Sequence, residues 1–339
     1  MMQSDVADIL GGLPFAALLV GYDEKIVAAN ALAQSLFGQA IIARHHGIAL
    51  RQPAVLQAID AALLRRESSV VRQVLAGQVH ELVHRVTVSA VAAGALCLFQ
   101  DISDQEQAEQ MRRDFVANVS HELRTPLTSV LGFIETLRGP ARQDEVARDR
   151  FLAIMATEAE RMNRLVRDLL QLSRVEAQER QRPTAREDLA RLVQAAVQNL
   201  RPLAERSGVE IVLTGLDNPV PIYADADQMT QVVTNLVENA IKYGGAGKWI
   251  GLTLTREETP RGRLVRLEIA DRGEGIDAVH LPRLAERFYR VDGHRNREKG
   301  GTGLGLAIVK HIAQRHRGRL VVDSVLGQGT RFAVILPAD

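Results

Sequence analysis

The chain has 339 residues, 46 % of them hydrophobic and 24 % charged, a balance that argues against wholesale disorder. Its 42 basic residues almost equal its 41 acidic residues, and a net charge of +1 gives no sign of direct nucleic-acid binding or of a polybasic membrane anchor. The single cysteine, Cys97, cannot form an intramolecular disulfide, which fits a reducing compartment. At roughly 100–200 residues per domain, this length predicts two or three domains.

No stretch of the sequence resembles a membrane span. The most apolar N-terminal stretch, residues 9–22, is interrupted by Gly11, Gly12 and Pro14, and it is shorter than the ~18–20 apolar residues that a spanning helix needs. No cationic segment or small-residue cleavage site marks a signal peptide. We therefore predict a cytoplasmic protein without a transmembrane segment, a location that still allows a membrane-protein partner.

The N-terminal third has the short apolar runs and turn signals of a mixed α+β domain. A β-hairpin is predicted around Asp23-Glu24-Lys25, and two later strands are separated by Gly94. The predicted strands are residues 17–22, 26–30, 79–91 and 95–100.

Residues 103–179 are predicted to be helical, with an interruption at Gly139-Pro140. On both sides of it, apolar residues recur at steps of three and four, which is the pattern of a heptad seam. The seam comprises Val116, Val119, Leu123, Leu127, Val130, Ile134 and Leu137, then Leu152, Met155, Ala159, Met162, Val166 and Leu169. A hairpin with so narrow a seam has little core of its own, so we expect it to dimerise into a four-helix bundle.

After a charged linker at residues 178–187, strands and helices alternate to the C-terminus, which predicts an α/β domain. The predicted helices are residues 189–206, 227–243 and 304–315. The predicted strands are residues 211–216, 249–257, 264–271, 320–324 and 331–336.

His121 lies in the first long predicted helix and is the first candidate for chemistry. At about 100° per residue it points away from the apolar seam, so its imidazole is predicted to be exposed. Thr125 lies on the same face one turn later, and Pro126 removes a backbone N–H and should kink the helix. An exposed imidazole with Glu122 beside it to accept its proton suits a nucleophile. The alternative is a solvated surface histidine.

The second motif lies on the predicted helix 227–243. Asn235, Glu238, Asn239 and Lys242 share the face opposite its apolar stripe. The amide oxygens of Asn235 and Asn239, one turn apart, suit Mg²⁺, which prefers oxygen ligands. Lys242 can neutralise phosphate oxygens. The alternative is a solvated helix face.

The third motif is Asp271, which ends a predicted strand and is followed by Gly273 and Gly275. The glycines allow close backbone approach. A carboxylate fixed at a strand end can accept a hydrogen bond from an exocyclic amine such as adenine N6. Taken alone, the pattern also fits an ordinary turn.

A glycine-rich segment, residues 300–305, runs into the last predicted helix and would present backbone N–H groups to phosphates. The Rossmann spacing G-x-G-x-x-G fails in this segment because Leu306 occupies the third glycine position. A P-loop ending at Gly247-Lys248 also fails, because Trp249 follows the lysine and Lys242 stands where the first glycine belongs. A polar, arginine-rich stretch before it includes Arg290 and residues 294–301 and would suit a mobile lid over a nucleotide. Its alternative is a surface loop.

In their order, the motifs at residues 121–126, 235–243, 271–276, 288–290 and 300–310 resemble the H, N, G1, F and G2 boxes of bacterial sensor histidine kinases. The resemblance covers residues 103–339 and implies a dimeric four-helix-bundle phosphoacceptor domain joined to an α/β-sandwich ATP-binding domain of the GHKL type. It implies a homodimer that autophosphorylates on His121 from Mg-ATP. It also implies transfer to an aspartate of a response regulator receiver domain, and dephosphorylation of that regulator.

The resemblance also assigns residue roles. His121 is the implied phosphorylated residue, Glu122 its acid/base neighbour, and Thr125 the residue that positions water for dephosphorylation. Asn235 and Asn239 are the implied Mg²⁺ ligands. The other implied ATP contacts are Lys242, Tyr243, Asp271, Gly273, Gly275, Arg290, Gly301, Gly303 and Gly305.

The N-terminal region resembles a PAS sensor domain. Residues 23–26 and Asn30-Ala31 are similar to the PAS opening hairpin and helix, and Asp101-Ile102-Ser103 is similar to the exit into a signalling helix. The implied multidomain layout is a PAS-like sensor domain at residues 1–102, the dimerisation and phosphotransfer hairpin at 103–180, and the catalytic ATP-binding domain at 183–339. This layout is nearest to phosphate-regulon sensor kinases, many of which carry membrane helices that this sequence lacks.

Four histidines of this region are formal candidates for haem or metal ligands, and we expect packed or solvated roles for them: His45, His46, His80 and His84.

Two alternatives from other classes stay open. One is a signalling scaffold whose main work is to remove phosphate from a response regulator. The other is a nucleotide-driven clamp or ATPase that shares only the ATP fold, and a phosphoacceptor histidine on a heptad hairpin argues against it. The sequence does not identify the stimulus, any PAS ligand or the partner regulator. It also leaves open the kinase-to-phosphatase balance and whether phosphorylation occurs within or between subunits.

Overall fold

The computed structural model describes residues 3–76, 81–139, 141–260, 262–291 and 301–338. The chain forms two compact units, Met1–Val116 and Ala117–Asp339. None of the helices in the described ranges combines the length and hydropathy that crossing a bilayer requires.

The first unit is built on a five-stranded antiparallel sheet with strand order β2-β1-β5-β4-β3. Its strands are β1 (Ala16–Val20), β2 (Ile26–Ala29), β3 (Ser69–Ala76), β4 (Glu81–Val91) and β5 (Gly94–Asp101). Its helices are α1 (Gln3–Gly11), α2 (Ala31–Phe37), α3 (His46–Leu50) and α4 (Pro53–Arg65). The last three connect β2 to β3.

The predicted hairpin is confirmed, since Leu18 of β1 pairs with Ala29 of β2. The two later strand predictions are confirmed as β4 and β5, although residues 79 and 80 lie outside the described ranges. The helix predicted at Asn30-Ala31 is α2, which Asn30 caps by accepting the Ala33 N–H. Strand β3 and helices α1, α3 and α4 were not predicted.

The larger core of the first unit lies between the sheet and α4. Val86 and Phe99, which point to the same face of the sheet, pack with Val55 and Ile59 of α4. Cys97 belongs to the same core, and burial raises the pKa of its thiol to about 12. A thiol in this setting is a small apolar packing group.

Of the four candidate histidines, His45, His46 and His84 lie among the described residues. The Nδ1–H of buried His46 donates to the Glu24 carbonyl over 3.0 Å, and the His45 ring stacks on that of His46. His84 is buried on β4, and burial lowers its pKa. His80 lies outside the described residues, among which no cluster of His, Cys, Asp or Glu could hold a metal ion.

Two long helices, α5 (Ser103–Arg138) and α6 (Glu145–Gln178), form the predicted hairpin, with the interruption at the expected place. The carboxylate of Asp144 caps α6 by accepting the Ala147 N–H over 2.9 Å. Helix α5 continues through Pro126, whose side chain is buried. The proline therefore does not end the helix.

The C-terminal part of the second unit is an α/β sandwich. Its sheet has the strand order β11-β12-β10-β9-β7, where β7 and β9 are parallel and the other neighbours antiparallel. The strands are β7 (Glu210–Thr214), β9 (Trp249–Thr259), β10 (Gly262–Asp271), β11 (Arg319–Val325) and β12 (Gly329–Pro337). The helices are α7 (Leu189–Arg206), α8 (Ala226–Gly244) and α9 (Gly305–Arg315). Helices α8 and α9 pack on the sheet, and α7 packs beside α8 and contacts the edge strand β7.

All helices and strands predicted for this domain are confirmed, with small shifts at their ends. A short ribbon of β6 (Arg186–Asp188) and β8 (Pro221–Tyr223) was not predicted. Its first strand occupies the end of the segment that the sequence suggested to be a linker.

Most of the predicted heptad seam is half-buried or exposed in the single chain. Leu127 and Leu152, for example, expose about half of their surface. Helix α6 instead buries Leu165, Leu172 and Val175, because it packs against α9. The apolar pattern of α6 therefore serves this contact as well as the predicted seam.

His316 follows α9 and is buried. Its Nδ1–H donates to the Ile312 carbonyl over 2.8 Å, and its Nε2 accepts the Asp225 N–H over 3.1 Å. Burial lowers the pKa of His316 below its ordinary value of 6.5, and Arg315 acts in the same direction. The unfolded chain binds this proton more readily than the folded chain, so protonation favours unfolding.

Candidate nucleotide-binding and phosphoacceptor sites

Helix α8 presents a polar face to a cavity of about 260 Å³. The predicted apolar stripe on its other side is buried and comprises Met229, Val232, Val233, Leu236 and Ala240. Packing of this stripe turns Asn235, Glu238, Asn239 and Lys242 toward the cavity, where all four are half-buried. The alternative of a freely solvated helix face is therefore wrong.

Asn235 connects α8 to the start of α9. Its Nδ2 donates to the Gly305 carbonyl over 3.2 Å. This bond fixes the amide plane and leaves Oδ1 as an acceptor. Asn239 lies one turn later on the same helix and lines the same cavity.

Lys242 and Asp168 bring opposite charges to the cavity. Burial lowers the pKa of Lys242, and Arg164 and Arg290 add to this effect, whereas Glu238 and Asp168 oppose it. Burial raises the pKa of Asp168. A bound anion would find Lys242, Arg164 and Arg290 in one lining.

Asp271 ends β10 and is only 8 % exposed. Its Oδ1 accepts the N–H groups of Gly273 over 2.8 Å and Thr330 over 3.3 Å. Burial raises the pKa of the carboxyl, and these two hydrogen bonds oppose the shift. Among the described residues no group donates to Oδ2, so this oxygen is an acceptor for a ligand in the cavity.

Gly273 has no room for a side chain, because a Cβ atom there would lie 2.6 Å from the Cα of Gly244. It shapes the turn that holds Asp271 and does not itself line the cavity. Gly275 does line it and has a φ of +69°, a left-handed conformation that favours glycine.

The glycine-rich segment closes another side of the cavity. A Cβ atom at Gly301 would lie 2.7 Å from the Tyr243 hydroxyl oxygen. Gly303 has a φ of +73°, and its carbonyl accepts the Phe288 N–H. Helix α9 begins at Gly305, so the N–H groups of a helix N-terminus adjoin the cavity. Residues 292–300, which include most of the predicted lid, lie outside the described residues.

The structure therefore brings together in one cavity all the predicted nucleotide contacts except Gly273. These are Asn235, Asn239, Lys242, Tyr243, Asp271, Gly275, Arg290, Gly301, Gly303 and Gly305.

The predicted phosphoacceptor residues lie on α5 and do not line this cavity. His121 is exposed, as predicted, and its backbone carbonyl accepts the Thr125 hydroxyl over 3.2 Å. The Glu122 carboxylate forms a 3.0 Å ion pair with Arg161 of α6. The sequence did not reveal this pair, which orients Glu122 between the two helices.

Comparison with protein families assigns the helical hairpin and the α/β sandwich to two different domains. Residues 111–178 match the His Kinase A (phospho-acceptor) domain, and residues 224–339 match the histidine kinase-, DNA gyrase B- and HSP90-like ATPase domain. The first match contains His121 and the second contains most of the cavity. The chain belongs to the sensor histidine kinases.

Curated relatives of this sensor histidine kinase include two WalK proteins. It is 38 % identical to a Staphylococcus aureus sensor protein kinase WalK over 269 residues, which cover 76 % of this chain and 63 % of the relative. It is 37 % identical to the Bacillus subtilis sensor histidine kinase WalK over 244 residues, which cover 72 % of this chain and 39 % of the relative. The chain thus matches less than two thirds of the length of these relatives.

A crystal structure of the histidine kinase ThkA in complex with the response regulator protein TrrA has a similar fold. It is 18 % identical, the match covers 98 % of both chains, and the TM-score is 0.51.

Several residues of this sensor histidine kinase's cavity were not predicted. Thr330 and Phe332 come from β12, and Arg164 and Asp168 come from α6. The strand residues are distant in sequence from the motifs. The α6 residues belong to a helix whose pattern indicated only a seam, so neither pair had a local signal.

Proposed function

We propose that the chain transfers the γ-phosphate of ATP to His121 and from there to an aspartate of a response regulator receiver domain. The observation that carries the proposal is the single cavity in which α8 amides, Lys242 and Asp271 converge with the glycine-rich segment, in the same unit as an exposed histidine on a helical hairpin.

The cavity suits ATP at both ends. Asp271 Oδ2 can accept the adenine amino group. The backbone N–H groups of the glycine-rich segment and the α9 N-terminus can bind phosphate oxygens, with Lys242 supplying a positive charge. Arg164 and Arg290 add two further cations to this lining.

The α8 amides fit a hard cation. The Asn235 amide donates to Gly305 and keeps Oδ1 as a ligand, and Asn239 offers a second oxygen one turn away. When bound, Mg²⁺ would neutralise charge on the phosphates. In this proposal Asn235 and Asn239 hold the ion, and Lys242 orients the phosphates beside it.

His121 is the nucleophile in this proposal. A bond forms between an imidazole nitrogen and the γ-phosphorus, and the bond from that phosphorus to the β,γ-bridging oxygen breaks, so ADP leaves. Glu122, which Arg161 orients, takes the imidazole proton. The phosphoryl group then passes to a receiver carboxylate and His121 is regenerated. Thr125, one turn from His121, positions water when the regulator is dephosphorylated.

We also propose that the chain is a homodimer. The hairpin exposes an apolar set that a second copy would cover in a four-helix bundle: Leu127, Leu131, Ile134, Leu152, Val166 and Leu170. In an isolated hairpin these side chains would stay in water, and the free energy gained by burying them would be lost.

The N-terminal unit is proposed to be a PAS-like sensor domain at residues 1–102, followed by the hairpin at 103–180 and the ATP-binding domain at 183–339. The order of its sheet, with the first two strands beside the last three and the helices inserted after β2, supports this assignment. We further propose a cytoplasmic location for these domains.

The test is chemical. Incubated with Mg²⁺ and radiolabelled ATP, the chain should gain a phosphate that is labile in acid and stable in base, as a phosphoramidate is. His121→Gln should bind ATP but gain no label. His45→Gln, a change of another exposed histidine, should label like the unmodified chain. Equal labelling of His121→Gln would refute the proposal.

A further inference from the structure

Helix α6 contributes two side chains to the nucleotide cavity. Arg164 and Asp168, one turn apart, lie in its lining although they precede the ATPase-like match at residues 224–339. The Thr302 hydroxyl donates to Asp168 Oδ2 over 2.7 Å and accepts the Leu304 N–H over 3.3 Å. Two hydrogen bonds thus connect Asp168 of the hairpin, through Thr302, to Leu304, which precedes α9.

The C-terminal end of α6 is also held to the ATP-binding domain, residues 183–339. Glu176 forms a 2.7 Å ion pair with Arg287, and Glu179 contacts His311 of α9 over 3.0 Å. These contacts lie two or more helical turns beyond Asp168. The position of α6 against α9 is therefore fixed at two separate places.

We propose that Asp168 is a positioning residue of the nucleotide site, which fixes the glycine-rich loop through its hydrogen bond with Thr302. The affinity for ATP then depends on the docking of the ATP-binding domain on the hairpin. This inference rests on the proposed function of the cavity. Because coupling between two equilibria is reciprocal, bound nucleotide also strengthens the docking.

The charge of Asp168 and its hydrogen bond act in opposite directions. A carboxylate in the cavity repels the phosphates of ATP, whereas its bond to Thr302 orders the loop that binds them. Asp168→Asn removes the charge and retains an acceptor for the hydroxyl, so the two contributions can be separated. Thr302→Ser retains the hydroxyl, and Thr302→Val removes it at nearly constant shape.

The experiment is a double-mutant cycle on the full chain, with Mg-ATP affinity measured by calorimetry. Thr302→Val should weaken binding roughly tenfold through loss of one hydrogen bond to a charged group. Asp168→Ala should weaken it by a smaller factor, because the same change also removes the charge that repels the phosphates. The double variant should be no weaker than the singles, because both remove the same bond. Asp168→Asn and Thr302→Ser should bind as tightly as the unmodified chain or more tightly. Asp149→Ala, a change of an exposed α6 carboxylate, should leave affinity unchanged.

Additive losses in the double variant, unchanged affinity in both singles, or failure of the conservative variants to rescue binding would overturn the inference. Asn239→Ala distinguishes its failure from failure of the proposed function. If that variant keeps its Mg-ATP affinity, the nucleotide site itself is wrong and the inference falls with it. If Asn239→Ala loses affinity while the cycle is additive, only the coupling through Asp168 is wrong. Should Asp168→Ala fail to fold, the comparison of Thr302→Val with Thr302→Ser decides, and equal affinities there refute the inference.

Discussion

Replacing Asp271 by asparagine changes one atom of the carboxyl group and should reverse what it offers to a ligand. The two backbone N–H groups of Gly273 and Thr330 hold Oδ1 from the protein side. The asparagine carbonyl can keep both of these hydrogen bonds, so the turn should stay intact. The amide nitrogen then takes the position of Oδ2 and presents a donor where adenine also presents one.

The size of the effect follows from the burial of this group. Asp271 is 8 % exposed, so water cannot replace the lost acceptor. A hydrogen bond to a charged group in such a place is worth about 2 kcal/mol, which corresponds to a roughly 30-fold loss of ATP affinity. The asparagine N–H should in turn favour inosine triphosphate, in which a carbonyl oxygen replaces the 6-amino group.

The assay is calorimetric titration with ATP and with inosine triphosphate in the presence of Mg²⁺. The affinity for ATP divided by the affinity for inosine triphosphate should be lower in Asp271→Asn than in the unmodified chain. Asp323→Asn, the same chemical change at an exposed position of β11, serves as the matched control and should leave the ratio unchanged. An unaltered ratio in Asp271→Asn would show that this carboxylate does not form a hydrogen bond with the adenine base.

Three further predictions concern other residues. Asn239→Ala should lose most of the Mg²⁺-dependent part of ATP affinity, because an oxygen ligand is removed; equal affinities with and without the ion in the unmodified chain would refute this. Thr125→Ala should still label His121 but dephosphorylate the regulator more slowly, and simultaneous loss of both activities would contradict it. Below pH 6.5 the unfolding free energy, followed by Trp249 fluorescence in urea, should decrease as the pH is lowered, because the pKa of His316 is lowered in the folded chain. His316→Gln should reduce that slope by up to about 1.4 kcal/mol per pH unit, and an unchanged slope would exclude His316 as the cause.

Periodicity predicted the elements whose apolar residues are spaced regularly over many positions. The α8 stripe from Met229 to Ala240 fixed both the helix and the face that its amides occupy. Helix α4 has similar spacing in Val55, Ala58, Ile59 and Ala62 and a proline at its start, so the sequence did contain a usable signal there. Strand β3 had a weaker one, because Gln73 is buried and interrupts the apolar alternation.

Contacts between distant segments had no such signal. The β6–β8 ribbon consists of three-residue strands, too short for alternation to be recognised. Arg161 pairs with Glu122, and Asp168 with Thr302, only because α6 lies beside α5 and α9 in the folded unit. Motifs identified the residues that recur in a family, whereas these pairs depend on how this chain packs.

The burial of Cys97 has a practical consequence for measuring motion in this protein. Burial raises the pKa of its thiol to about 12, so the thiol stays protonated at neutral pH, and the thiolate is the form that reacts with maleimides and spin-label reagents. Cysteines introduced on the exposed face of α6 and on the ATP-binding domain should therefore be labelled selectively, without replacement of Cys97. Distances between such paired labels could be recorded with and without nucleotide in a chain whose first-unit core is unaltered.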